Sequence, residues 1–382
     1  MNKGEIKSLT GIRGVAASFV MFHHWAYFLL TSSILSPFIR HRLSIFFFHG
    51  NWNVDLFFIL SGFLLSITSY NEFKNNITIT SYSNFIIKRF CRVYPIYISL
   101  TLFYLIVEIL FTNNKTTIPT LLVNITLFQN ILDIKNINPL SWSLSVEWVI
   151  YFLLPLLFII SNKVKSSTRI FALYTLSLLI MGIITKLFAY KFYQNISFKE
   201  IFSAQKYVSD FTNGQYSFLR GISSYLLGIA SFTLLKKGYL NRLSNPVFYI
   251  IFITQFILLF INSSLANILF ILLIPFSLIN LTRNNSLLSK FLSTRFIYFL
   301  GEISFSLYLI HYVFVMSVSP RLEIFLMNHH VPHYKYLIFF SLLIIIIVLS
   351  ALLYYYLEKP LNNWLRNRLL FKHSYTDPVI RA

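Results

Sequence analysis

The chain has 382 residues, of which 56% are hydrophobic, 18% aromatic and only 12% charged, with a formal net charge of +20. Soluble domains carry about 25% charged residues and lack repeated apolar runs near 20 residues, so this composition excludes a soluble globular protein. No basic run or aromatic–basic RNA motif gathers the positive charge, which excludes a nucleic-acid binder and leaves that charge to set membrane topology.

Ten apolar runs of membrane-spanning length follow in order: 9–30, 47–69, 93–112, 143–161, 168–189, 217–235, 246–262, 264–282, 296–316 and 336–357. The first run has no small-residue cleavage site after it and carries Arg and His, which argues against a signal peptide. The division between the seventh and eighth runs falls at Asn262–Ser263, and the stretch 116–132 reads as an interfacial segment. The loop 190–216 is the longest break of mixed charge, and residues 361–382 read as a short basic tail lying at the surface. Lys and Arg fall on the segments inside by more than two to one when the N-terminus is cytoplasmic, which places both termini there. The expected fold is therefore an all-α polytopic bundle of about ten transmembrane helices. Its one cysteine, Cys91, can form no disulfide within the chain and reads as an inert buried side chain.

Ionisable side chains at membrane depth cost several kcal/mol and usually serve a function. "SLTGIRGVAASFVMFHHW" carries Arg13 near the inner end of the first span and His24 near mid-depth. Eleven residues of helix put them on one face and about 16 Å apart, as two stations along one path. Asp55 in "NVDLFFILSGFLLS" and Glu147 in "SWSLSVEW" fall in outer halves, as do Arg220 and His311. Arg220 suits an ion pair with one of these carboxylates, and His311 suits a neutral histidine bonded to a backbone carbonyl. On the inner side, Arg89 and Arg92 in "KRFCRVYPIY" stand at i,i+3 on one face, and guanidinium forks match phosphate oxygens. Glu302, Glu358 and Lys359 read as ion pairs at helix ends. By depth, then, a cationic inner cluster faces an acidic outer cluster with a histidine between them.

Six stretches, "LTGIRGVAASFVMFHHW", "VDLFFILSGFLL", "KRFCRVYPIY", "SWSLSVEW", "FLGEISFSLYLIH" and "YYLEKPL", occur in the order seen in the integral-membrane acyltransferase family 3, which the chain resembles from Leu9 to Leu361. That resemblance implies an O-acetyltransferase of surface polysaccharide or lipopolysaccharide O-antigen in the cell inner membrane, with acetyl-CoA as donor and no metal. It implies residues 1–360 as the acyltransferase domain, acting alone or with a separate periplasmic partner. It maps an Arg-x10-His motif onto Arg13 and His24, an RxxR pair onto Arg89 and Arg92, and a conserved Glu onto Glu147. Thr10 stands where the family usually has Asp, Trp148 where a polar residue is common, and the usual Pro after His311 is absent.

A glycan acetylase needs a base for the acceptor hydroxyl and a grip on the donor phosphates. His24 is the candidate base, or else a transient acyl-imidazole nucleophile, with Asp55 or Glu147 orienting it. Arg13, Arg89 and Arg92 are the candidate clamp for CoA. The rival class is a glycan transporter or flippase that uses the buried His, Asp and Glu as a proton relay.

Overall fold

The structure, a computed structural model, describes residues 6–30, 37–73, 77–111, 116–162, 164–192, 214–240, 244–261, 263–283 and 286–374. Most of the 190–216 loop, Asn262 and the tail beyond Ser374 lie outside them. Among the described residues there is no strand, and eight helical stretches are long and apolar enough to cross a membrane.

In chain order the helices are α1 (Lys7–Leu30), α2 (Pro37–Phe48), α3 (Trp52–Phe73), α4 (Ile79–Phe111), α5 (Ile118–Ile125), α6 (Trp142–Asn162), α7 (Ser166–Phe192) and α8 (Gly214–Lys237). Then come α9 (Asn245–Leu258), α10 (Ser264–Thr282), α11 (Leu287–Leu292), α12 (Arg295–Glu302), α13 (Ser304–Val313), α14 (Ser319–Asn328), α15 (Tyr334–Leu353) and α16 (Lys359–Ser374). Eight of the ten expected spans fall on the eight long apolar stretches. The first expected span is α1, whose 24 residues reach about 36 Å and whose Arg and His residues dilute its apolar character. The seventh is α9, whose 14 residues reach about 21 Å and so fall short of a hydrocarbon core of about 30 Å. The ninth is divided: α12 ends at Glu302 and α13 begins at Ser304, so the 296–316 run is two helices.

Two π-helical segments, Phe314–Val318 and Tyr354–Glu358, each end two residues before a proline, Pro320 and Pro360. Proline removes one backbone donor and crowds the preceding turn, and a local widening of the helix absorbs both effects. Beyond the second, α16 continues across residue 361 and packs on α4.

Helix α1 is the hub, packing on α2, α3, α12 and α13. Without a strong hydrophobic drive in lipid, helices associate by close packing, and small residues let backbones meet. A Cβ at Gly301 would lie 2.0 Å from the carbonyl oxygen of Thr10, and one at Gly228 would lie 2.3 Å from that of Ile59. These two glycines set the α1–α12 and α3–α8 crossings. The Ser8 hydroxyl donates to the Leu281 carbonyl at 2.8 Å, fixing the N-terminal end of α1 to α10.

Candidate active site

Helices α1, α3, α4, α6 and α13 leave between them a cavity of about 110 Å³. Arg13, Arg89, Arg92 and Glu147 all line it, together with the hydroxyl groups of Ser61, Ser143, Tyr151, Ser304 and Tyr308. Phe57, Phe58 and Leu144 are among its apolar walls. The α4 register turns Arg89 and Arg92 toward this space while Cys91, fully buried, takes no part in the lining. Lys88 also turns away and pairs with Glu72 at 3.0 Å.

The electrostatics of the cavity are unbalanced. Among the described residues no carboxylate lies within 4.0 Å of Arg13, Arg89 or Arg92, although the chain has buried carboxylates that do form ion pairs. The Nε of Arg89 is buried with no hydrogen-bond partner. Glu358 accepts from Ser306 Oγ at 2.7 Å, and Glu147 accepts from the Tyr225 hydroxyl at 2.9 Å. Three guanidinium groups and one carboxylate around one void favour an anionic occupant, and guanidinium forks suit phosphate oxygens in particular.

Asp55 is committed elsewhere. Arg220 Nε donates to its two oxygens at 3.0 and 3.2 Å, and a terminal guanidinium nitrogen of Arg220 donates at 2.7 Å. Ser224 Oγ adds a fourth bond at 3.0 Å. Arg220 also donates to the Asn51 carbonyl at 2.9 Å and lies over the Trp142 ring. The pair expected for Arg220 therefore forms with Asp55, across 165 residues of sequence.

The histidines stand outside the cavity lining. His24 Nδ1 lies 3.0 Å from the Val20 carbonyl oxygen and 3.2 Å from His311 Nε2. His311 Nδ1 lies 2.9 Å from the Leu307 carbonyl oxygen, so this histidine is held by a backbone carbonyl as expected and meets His24 as well. His23 turns to the Phe47 carbonyl at 3.0 Å. Tyr308 links the two regions: it lines the cavity, its hydroxyl bonds with Ser143 Oγ at 2.9 Å, and its ring centroid is 6.2 Å from that of His311.

Three expectations from the sequence are corrected by this geometry. Neither Asp55 nor Glu147 orients His24, because one is saturated by Arg220 and Ser224 and the other bonds with Tyr225. Glu147 does not belong to an outer acidic cluster but shares the cavity of the three arginines. Glu302, Glu358 and Lys359 do not pair with one another; Lys359 lies over the Tyr354 and Tyr355 rings, each 5.8 Å away. Sequence reasoning missed Tyr308 and Tyr225, and it missed that His311 touches His24. The signal for the first was present in "SFSLYLIH", where Tyr308 and His311 stand at i,i+3 on one face. No group of three or more His, Cys, Asp or Glu that could hold a metal occurs among the described residues.

Comparison with known proteins follows the same line. The family model described as "Acyltransferase domain", of the acyltransferase 3 family, matches residues 6–356. An uncharacterized protein of Haemophilus influenzae is 28% identical over 157 residues, which is 37% of this chain. The matched stretch spans 63% of that relative's length. No solved structure matches the chain.

Proposed function

From membership of the acyltransferase 3 family, to which this chain belongs, we propose that this multi-pass membrane acyltransferase moves an acetyl or other short acyl group from acyl-CoA to a hydroxyl of a cell-surface or lipid-linked glycan. The single observation that carries the donor assignment is the cavity whose three guanidinium groups have no carboxylate within ion-pair distance among the described residues. The donor brings the acyl group as a thioester. Arg13, Arg89 and Arg92 hold its phosphates, with Arg89 presenting a buried Nε that needs an acceptor.

His24 is the general base: a neutral imidazole is the side chain whose ordinary proton affinity suits transfer near pH 7. It takes the proton of the acceptor hydroxyl as that oxygen attacks the thioester carbon. The carbon–sulfur bond then breaks and the proton returns from His24 to the departing thiolate, leaving an O-acyl glycan and free CoA. Glu147 closes the far side of the cavity and limits its positive charge. Asp55 acts one step removed, by holding Arg220 against the α3 N-terminal turn.

The Lys/Arg bias reads the helix ends that carry the clamp as cytoplasmic, so the donor site is on the inner face of the membrane, which in this reading is the cell inner membrane. Acetyl-CoA should therefore bind inside-out vesicles that carry the protein and not sealed right-side-out ones. Equal binding to both would contradict this orientation, and absence of binding to either would contradict the donor. The transporter alternative predicts glycan movement without acyl-CoA and is disfavoured by the family match.

A further inference from the structure

His24 and His311 are held in a relation that fixes where their protons sit. A carbonyl oxygen can only accept a hydrogen bond, so His311 Nδ1, 2.9 Å from the Leu307 oxygen, carries hydrogen. In neutral His311 the Nε2 is then bare and can only accept. It faces His24 Nδ1 at 3.2 Å, and that nitrogen also faces the Val20 carbonyl at 3.0 Å. Both neighbours of His24 Nδ1 are acceptors, so Nδ1 must be the protonated nitrogen of His24 and Nε2 the bare one.

We propose that His311 is the positioning residue of the catalytic base: together with the Val20 carbonyl it accepts from His24 Nδ1–H, fixing the orientation of the ring and so making His24 Nε2 the nitrogen that takes the acceptor's proton. This rests on the acyl-transfer reading above. It gives His311 the place that a carboxylate holds in a Ser-His-Asp triad, where the third group sets tautomer and orientation without itself exchanging the proton. The assignment cannot be reversed. His311 is fully buried and both of its ring nitrogens are engaged, whereas His24 is half-buried and its Nε2 has no protein partner among the described residues. His23 does not compete, since its Nδ1 is turned to Phe47 and it makes no hydrogen bond to His311. The chemical step stays balanced with His311 as a spectator: the hydroxyl proton passes to His24 Nε2, the oxygen–carbon bond forms, and the same proton leaves with the thiolate.

Two measurements on the full chain test this. The first uses host membranes with their own glycan, supplied with acetyl-labelled acetyl-CoA, and reads maximal label incorporation and the KM for acetyl-CoA at matched abundance. His311→Leu should lower the maximal rate about 100-fold or more with KM changed less than about twofold. His311→Gln, whose amide oxygen can accept from His24 Nδ1, should recover most of that loss, and adding His311→Leu to His24→Ala should cost nothing further. Retention of more than about a third of the maximal rate by His311→Leu, or equal inactivity of the Leu and Gln variants, would overturn the proposal. The second reads ¹⁵N shifts of labelled histidines in the detergent-solubilised wild type, with His24→Gln to assign the signal. A protonated Nδ1 and bare Nε2 at His24 are expected, and a protonated Nε2 would overturn the proposal whatever the activity. Full activity in His24→Ala, or no label transferred by wild type, would instead sink the acyl-transfer reading and the proposal with it, even where the ¹⁵N pattern is as expected.

Discussion

Removing the Asp55–Arg220 pair one partner at a time should damage the fold far more than removing both. Asp55 is 1% exposed and the Arg220 side chain 11%, so neither charge can be rehydrated in place. Arg220→Met strips three hydrogen bonds from a carboxylate that keeps only Ser224 as a donor. Breaking a buried pair in this way costs about 3–5 kcal/mol, because the remaining charge is uncompensated. Asp55→Asn leaves Arg220 with the Asn51 carbonyl and the Trp142 ring, so its cost should fall at the lower end of that range. In Asp55→Leu/Arg220→Met both charges are gone, and burying apolar groups of similar size is often neutral, so the double variant should lie within about 1 kcal/mol of wild type. The assay is reversible unfolding in mixed micelles driven by an anionic detergent, followed by tryptophan fluorescence, with a double-mutant cycle giving the coupling. A coupling of about 2 kcal/mol or more is expected. Single variants within about 1 kcal/mol of wild type, or a double variant as unstable as the two singles combined, would refute the reasoning.

Other consequences are equally concrete. Gly301→Ala forces a Cβ onto the Thr10 carbonyl, a backbone group that cannot swing aside, and should abolish recovery of folded protein in a detergent size-exclusion assay. Gly182→Ala in α7 meets nothing within 4 Å and should be neutral or stabilise by about 0.5–1 kcal/mol through helix propensity alone. Arg89→Ala should weaken CoA binding about 10- to 100-fold by calorimetry on the solubilised chain, the worth of one charge-assisted hydrogen bond, and Arg89→Lys should not restore it because an ammonium lacks the fork. Cys91→Ala should keep its acyl-transfer rate, since Cys91 is fully buried and outside the cavity lining; loss of activity at normal abundance would reopen Cys91 as a nucleophile.

The membrane fold was legible in the sequence because apolar run length acts locally, residue by residue. What failed were the places where local rules meet tertiary constraint. The break at Ile303 follows from α12 closing on α1 through Gly301, a contact 291 residues away in sequence, with Thr10. The π segments follow from Pro320 and Pro360 acting on helices that packing forbids to stop. In the site, Arg13, Arg89 and Arg92 were recognisable singly, from charge in an apolar run and from i,i+3 spacing. Their company with Glu147 was not, because ordering charges by depth along each span ignores helix tilt and which faces meet. The His24–His311 contact joins residues 287 apart and has no local signature at all.

The most direct test of the central claim is the O-acyl content of the host's surface glycan, measured by mass spectrometry in a deletion strain complemented with wild type or with His24→Ala at matched membrane abundance. Wild type should restore the mass increment of one acyl group, and His24→Ala should not. Restoration by His24→Ala would contradict the assignment of the base, and no increment with wild type would contradict the glycan as acceptor.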